Sequence, residues 1–331
     1  MKNKKILIYA ELKNKRVRSS GYELLTKARQ IFREKGTEIA FVIAGDDVVE
    51  AANELCASGA DAVYVMESDL LRLFNIDYYT AAVLEAVKEF NPDVLLIAAT
   101  TFGEELAPTL GVRLKTGVAA HCVDLKVDEE GNFVQMVPAF GGKVIGEIMI
   151  PKGKPQIASV KPGMFRAEKQ EPRDCRIIRL DRGAVEGLHS KIRAIKVVES
   201  APESLPLENA DVIICGGAGV GSSENWDDVV TLAKLLGGAV GNTRPAVDAG
   251  WISDEQSMIG TSGKTVRPKV YVGVGVSGAT HHICGMKDSG VVISVNNDPN
   301  AEIFKVSDYK AVADGPAVVK ELIRLLNSES A

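Results

Sequence analysis

With 331 residues, 46% of them hydrophobic and 25% charged, the chain has room for more than one ordinary globular domain with a sizeable core. Lys and Arg number 39 against 44 Asp and Glu, and a net charge of -5 with no basic tail excludes a general nucleic-acid binder. No apolar run is long enough to insert into a membrane, and the one at residues 6–10 is too short for a signal sequence and reads as a first strand.

The first hundred residues alternate strand and helix patterns. Strands are expected at 5–9, 38–44, 62–66 and 94–98. Helices are expected near 21–35 and 47–58 and over 76–90, where Tyr79, Val83, Val87 and Phe90 recur at helical spacing. This is the pattern of a parallel α/β domain. After a helix over 103–114 the runs become strand-like and are broken by the turn residues of 130–132, 141–142 and 152–155, which read as antiparallel strands added to the same domain. A proline- and acid-rich stretch at 199–209 marks a boundary, giving an N-terminal domain over 1–200 and a second over 201–331.

The five cysteines, Cys56, Cys122, Cys175, Cys215 and Cys284, form no CxxC pair, so their spacing encodes neither a zinc site nor an iron–sulfur cluster. Each is expected to be a small buried hydrophobe without chemistry, in a reducing cytoplasm.

The second domain opens with a strand at 211–215, a glycine-rich loop at 216–221 and a helix over 224–236 capped by Ser222 or Ser223. Such a loop can cradle phosphate, but the glycines at 217, 219 and 221 do not fit G-x-G-x-x-G and no acidic residue follows at the spacing that reads a ribose. A bare tight turn and a nucleotide contact both remain open. Arg244 follows a short strand at 239–240 and precedes a proline suited to opening a helix; taken alone it reads as a surface arginine, and 259–264 as a turn with two hydroxyls.

Residues 271–298 are more informative. A buried strand at 270–276 leads into Ser277 and Gly278, a turn that brings main-chain N–H groups close to a phosphate. His281 and His282 follow, and a second strand at 291–295 ends in Asn296, Asn297 and Asp298, where open α/β sheets bind ligands. Adjacent histidines on a helix do not share a face, so no metal site is expected. A last helix over 316–326 starts beside Asp314, its expected N-cap.

From Gly216 onward the segments GGAGVG, TRPAVDAG, GTSGK, SGATHH, GMKDS, VNNDP and VAD stand in one order. It is the order in which α subunits of electron transfer flavoproteins carry a GGRG-type loop, S-R-x-x-V-D-A-G, G-Q-T-G-K, S-G-A-x-Q-H, G-M-x-x-S, I-N-x-D-P and V-A-D. With ILIYAE, PAFGG and KPQIASVKPGMF in the N-terminal half, the chain resembles that family over nearly its whole length.

The resemblance implies a Rossmann-like parallel-sheet domain with added antiparallel strands, which contacts a β subunit, and a C-terminal open-sheet α/β domain that binds FAD. It implies a heterodimer that relays electrons between a dehydrogenase of the acyl-CoA dehydrogenase type and an acceptor, in some members within NADH-dependent electron bifurcation. The chain is then an electron carrier, with no catalytic residue of its own. Carried over, Arg244 lies over the isoalloxazine ring and stabilises negative charge on the reduced flavin, Ser262 bonds N5, and His282 sits at the O2 side as a cationic or N–H donor. Ser277, Gly278, Ala279 and Thr280 wrap the pyrophosphate and ribityl chain, Asn296 and Asp314 reach the adenosine end, and Thr243 and Gly260 complete the lining. Ala218, Ile259, Thr261, His281 and Gly315 fall in the same implied contact set. Four positions depart from the family pattern: Ala218 stands for arginine, Thr261 for glutamine, Ser262 for threonine and His281 for glutamine.

Two other readings are kept. One is an NAD-binding enzyme of related open-sheet fold with His282 as general base; the other is a regulatory module whose N-terminal domain binds an adenine nucleotide.

Overall fold

The computed structural model describes residues 4–33, 36–139, 144–171, 173–197, 207, 210–252, 257–261 and 263–329. The chain divides into two compact units, Met1–Ala139 with Val144–Val198, and Phe140–Lys143 with Glu199–Ala331.

In the first unit, β1 (Lys5–Tyr9) is followed by a short hairpin of β2 (Leu12–Lys13) and β3 (Arg16–Val17). Then come α1 (Ser19–Ile31), β4 (Glu38–Gly45), α2 (Val49–Ala57), β5 (Ala62–Glu67), α3 (Ile76–Phe90), β6 (Val94–Ala98) and α4 (Thr101–Leu114). The remainder comprises β7 (Val118–Cys122), β8 (Asp124–Val127), β9 (Phe133–Ala139), β10 (Val144–Ile148), β11 (Gln156–Val160), β12 (Arg176–Arg179) and α5 (Gly183–Glu186). Seven strands form a sheet in the order β12-β5-β4-β1-β6-β11-β7, with every pairing parallel. Its central strands β1, β4 and β6 are apolar beyond the Lys5 and Glu38 that open the first two, because both faces are covered: Ile6 and Ile8 pack with Leu24 and Leu55 from α1 and α2, and Leu7 packs with Val83 and Leu106 from α3 and α4.

Of the strands expected to be antiparallel, only β8, β9 and β10 pair that way, in a separate three-stranded sheet. The others, β7, β11 and β12, join the parallel sheet instead. Short runs bounded by turn residues look alike in either setting, because parallel partners lie far away in sequence. One such pairing also overturns the expectation of five inert thiols. Placing β12 beside β5 brings Cys175 to a Cα–Cα distance of 5.4 Å from Cys56, 119 residues away, and the two form a disulfide. Cysteine spacing therefore gives no argument for a reducing compartment. Cys122, Cys215 and Cys284 form no disulfide; the first two are buried and Cys284 is half-buried.

The second unit runs β13 (Val212–Gly216), α6 (Ser223–Leu235), β14 (Ala239–Asn242), α7 (Arg244–Asp248), β15 (Val270–Val274), α8 (Thr280–Ile283), β16 (Val291–Asn296), β17 (Tyr309–Val312) and α9 (Gly315–Glu329). The sheet order β14-β13-β15-β16-β17 is again all parallel. Ser222 caps α6 by accepting from Asn225 N at 3.2 Å, and Asp314 caps α9 by accepting from Ala317 N at 2.9 Å. One sheet face packs Ile214 with Trp226, Leu232 and Val319 of α6 and α9; the other packs Ile213, Cys215 and Tyr271 with Ile259, Met286 and Ile303. Among the described residues no helix is long and apolar enough to cross a membrane, and no group of three or more His, Cys, Asp or Glu side chains is placed to hold a metal ion.

Candidate functional site

An open parallel sheet offers a crevice where successive connections leave in opposite directions. In the first unit that switch point lies between β1 and β6. It is filled by the protein's own anion: the buried Glu11 carboxylate takes a hydrogen bond from Thr100 Oγ1, at the start of α4, and an ion pair from Arg18 Nε at 2.6 Å. A nucleotide phosphate there would face a carboxylate, which disfavours it.

In the second unit the switch point lies between β13 and β15. The glycine-rich loop after β13 is a tight turn whose N–H groups are already used: Gly217 N donates to Val274 O at 2.9 Å and Gly219 N to Gly275 O at 3.0 Å. Ala218 is exposed beside it. Open donors occur instead one strand along. Among the described residues, no hydrogen bond is donated by the main-chain N–H of Ser277, Gly278, Ala279, Thr280 or His281. The turn that presents them is held firmly. Gly278 has φ +84°, and a Cβ there would stand 2.0 Å from Ile303 N, which donates to Ser277 O at 3.1 Å. Asn296, buried at the end of β16, donates from Nδ2 to Val276 O at 2.8 Å and accepts from Asp298 N at 2.9 Å, so its amide braces the turn from below.

A second loop, described at 257–261 and 263–264, meets the end of β14 and α8. Ile259 N donates to Asn242 O at 2.9 Å and Thr261 N to His281 O at 2.9 Å. Gly260, at φ +143°, is obligatory, because a Cβ would come within 2.7 Å of His281 O. Thr261 Oγ1 and His281 Nδ1 lie 3.1 Å apart on the exposed side. Ser262 lies outside the described residues. At the mouth of the same edge, Thr243 is buried with its N–H on Gly216 O at 3.1 Å, and the exposed Arg244 opens α7 with Nε 3.6 Å from Asp248 Oδ1. Gly315 is buried behind Val274, next to the capping Asp314.

His282, which the resemblance sets at the O2 side of the flavin, lies in α8 between the second loop and β15. It is buried, 6% exposed, with Nδ1 3.0 Å from Ile259 O and Nε2 2.7 Å from the Tyr271 hydroxyl. A carbonyl only accepts, so Nδ1 carries the proton and Nε2 accepts from Tyr271. Burial pushes its pKa down to about 4, against the smaller upward pull of the Ile259 carbonyl, so the ring is neutral near pH 7. Cys215 Sγ is 4.0 Å from Nε2, and burial raises that thiol to about 12. Tyr271 and Asn242 belong to this site, yet were not singled out from the sequence. The available signal was a tyrosine inside an otherwise aliphatic strand, where a hydroxyl needs a partner.

Five clustered N–H donors, the exposed hydroxyl side chains of Ser277 and Thr280, and the Arg244 cation on one sheet edge form a donor set suited to a long anionic, phosphate-bearing ligand. Comparison with known proteins bears on its identity. A family model described as "Electron transfer flavoprotein domain" matches residues 6–184, and one described as "Electron transfer flavoprotein FAD-binding domain" matches residues 206–287. The chain is 39% identical to "Electron transfer flavoprotein subunit alpha" of Thermoanaerobacterium thermosaccharolyticum, with 97% of each chain covered. It is 36% identical to the protein of the same name from Clostridium acetobutylicum, covering 97% of this chain and 96% of that one. It is also 31% identical to "Acryloyl-CoA reductase electron transfer subunit beta" of Anaerotignum propionicum, over 96% of this chain and 94% of that one.

Proposed function

The chain belongs to the electron transfer flavoprotein α-subunit family, and we propose that it holds FAD at the carboxyl edge of its second sheet and relays electrons between a dehydrogenase and an acceptor. The observation that carries this reading is the run of open N–H groups at 277–281 on a turn braced by Asn296. Those donors suit the pyrophosphate, because fixed main-chain dipoles need no reorganisation to meet a negative charge. Bound FAD would supply the capacity to accept and release single electrons. Arg244 would hold negative charge at the ring, since its guanidinium is tied only loosely to Asp248 at 3.6 Å. Thr261 and His281 would line the ring's edge, while Thr243, Ile259, Gly260 and Gly315 would shape the wall and Asp314 would mark the adenosine end.

The same reading includes a β subunit as the obligate partner, completing the pocket in a heterodimer. The relative from Anaerotignum propionicum, named for an acryloyl-CoA reductase, supports a dehydrogenase of the acyl-CoA type as the electron donor or acceptor, and the reading extends to an NADH-dependent bifurcating assembly. The competing NAD-enzyme reading requires His282 as a general base, and an engaged, buried imidazole argues against it. Co-expression with the β subunit followed by a visible absorbance spectrum tests the proposal. A yellow preparation that releases FAD on denaturation is expected, and a colourless one that takes up no added FAD overturns it.

A further inference from the structure

β12 closes one end of the seven-stranded sheet and, among the described residues, pairs with β5 alone. Packing anchors it weakly. Arg176, Ile177 and Arg179 are exposed and Ile178 is half-buried, so the first buried side chain is Leu180, just past the strand. Ion pairs line the seam instead: Arg173 with Asp61 at 3.0 Å, Arg176 with Glu38, and Arg179 and Arg182 with Glu67 at 3.1 and 3.5 Å. All four arginine side chains are half exposed or more, so each pair contributes little and salt screens it. The Cys56–Cys175 bond is the strong fastening at the head of the strand, tying the residue before Arg176 to the last turn of α2. At the other end the fully buried Val185 of α5 holds the chain to the core. Both disulfide cysteines are half-buried, which leaves them within reach of a thiol from solvent.

We propose that the Cys56–Cys175 bond is a thiol-responsive latch on β12. Oxidised, it keeps the strand docked and the edge of β5 covered. Reduced, it lets β12 open and bare the N–H and C=O row of β5, while β1, β4 and β6, covered on both faces, stay folded. Such a row accepts an added strand, so the latch governs access of another chain segment to that edge. The chemistry is exchange with a dithiol reductant. One reductant thiolate attacks a sulfur of the bond, forming a mixed disulfide and releasing the other cysteine as a thiolate; the second reductant thiolate then displaces the remaining cysteine. One S–S bond breaks in the protein and one forms in the reductant, and two electrons and two protons pass to Cys56 and Cys175. The oxidised dithiol reverses the step. The latch is a property of the chain alone and does not rest on the FAD reading.

Amide exchange of the full-length protein with and without dithiothreitol reads the latch, and alkylation of Cys56 and Cys175 confirms reduction. Exchange at 176–180 is expected to speed by roughly tenfold or more on reduction, at labelling times over which 5–9 and 94–98 stay protected in both forms. An ionic strength of about 1 M, which screens charges beyond about 3 Å, should speed 176–180 further in the reduced protein only, because the arginine pairs then carry more of the docking. Oxidised dithiothreitol should restore slow exchange. Cys56→Ser should behave as reduced wild type and ignore dithiothreitol; should it fail to fold, the wild-type comparison carries the test. Unchanged exchange at 176–180 after confirmed reduction overturns the proposal. So does loss of protection at 5–9 and 94–98 together with 176–180, which would make the bond a staple of the whole unit, and so does a bond that dithiothreitol cannot reduce in the folded protein.

Discussion

The Tyr271 hydroxyl donates to His282 Nε2 across 2.7 Å inside the second unit, while Ser277, Thr280 and His281, its near neighbours in sequence, are exposed. Arg244, exposed at the start of α7, is a cation on the same sheet edge.

A pH dependence follows. Burial lowers the His282 pKa from its ordinary 6.5 to about 4, so the unfolded chain binds this proton more readily between those values. The stability linked to the neutral ring is fully present above 6.5 and is lost as pH falls through 4; Tyr271 and Cys215, the titratable groups facing it, stay protonated throughout. Denaturant unfolding of the second unit should lose about 2 kcal/mol between pH 7.5 and 5, and His282→Asn should abolish that part of the slope. A variant with the wild-type slope would assign the dependence to other groups.

Gly278→Ala should be far more costly than Gly221→Ala, although both glycines have φ near +80°. At Gly221 nothing lies within 4 Å of an added Cβ, so only backbone strain of about 1 kcal/mol is expected; at Gly278 the Cβ meets Ile303 N at 2.0 Å. Comparing the two variants by thermal unfolding and FAD affinity checks this, and equal effects would mean that the turn can move freely.

Much of the fold was legible because burial on both faces writes itself as unbroken apolar runs. The strands at 5–9, 62–67 and 94–98 and the helix at 76–90 were found with boundaries correct within a residue or so. The caps at Ser222 and Asp314 were equally plain, since capping is local chemistry. By contrast, β17 is mostly exposed and carries no apolar run, and the β2–β3 hairpin turns on Asn14 and Lys15, which take positive φ without a glycine to announce it. The parallel pairing of β12 with β5 and the Cys56–Cys175 bond are set by partners over a hundred residues apart, which no local pattern encodes. At the site, the motifs mark residues by their order alone, whereas the contact of His282 with a tyrosine eleven residues earlier joins neighbouring elements and no local pattern encodes it.

Asn296→Asp is nearly isosteric, yet it should be severe. The Nδ2 donor to Val276 O at 2.8 Å becomes an oxygen facing a carbonyl, in a buried position at the end of β16. A loss of about 2–3 kcal/mol is expected, together with weaker FAD binding because the 277–281 turn loses its brace. Unchanged affinity in a measurably destabilised variant would separate the brace from the ligand.

The disulfide predicts a labelling pattern. Unfolded protein alkylated without reductant should take three labels, at Cys122, Cys215 and Cys284, and five after reduction. Cys175→Ser should lower the stability of the first unit by about 2–4 kcal/mol, because a closure spanning 119 residues is released. Five labels without reductant would show that the bond does not form in the protein as isolated.

Arg244→Ala should leave stability within about 0.5 kcal/mol, since its pairing with Asp248 is long and exposed, but should make the bound flavin harder to reduce. An unchanged midpoint potential would remove Arg244 from the ring's surroundings.

The most direct measurement is amide hydrogen exchange on the heterodimer with and without FAD. The account predicts the strongest protection at 277–281, where the open N–H groups are, with further protection across 258–261. Protection centred instead on the ends of β1 and β6, or no FAD-dependent protection at 277–281, would contradict it.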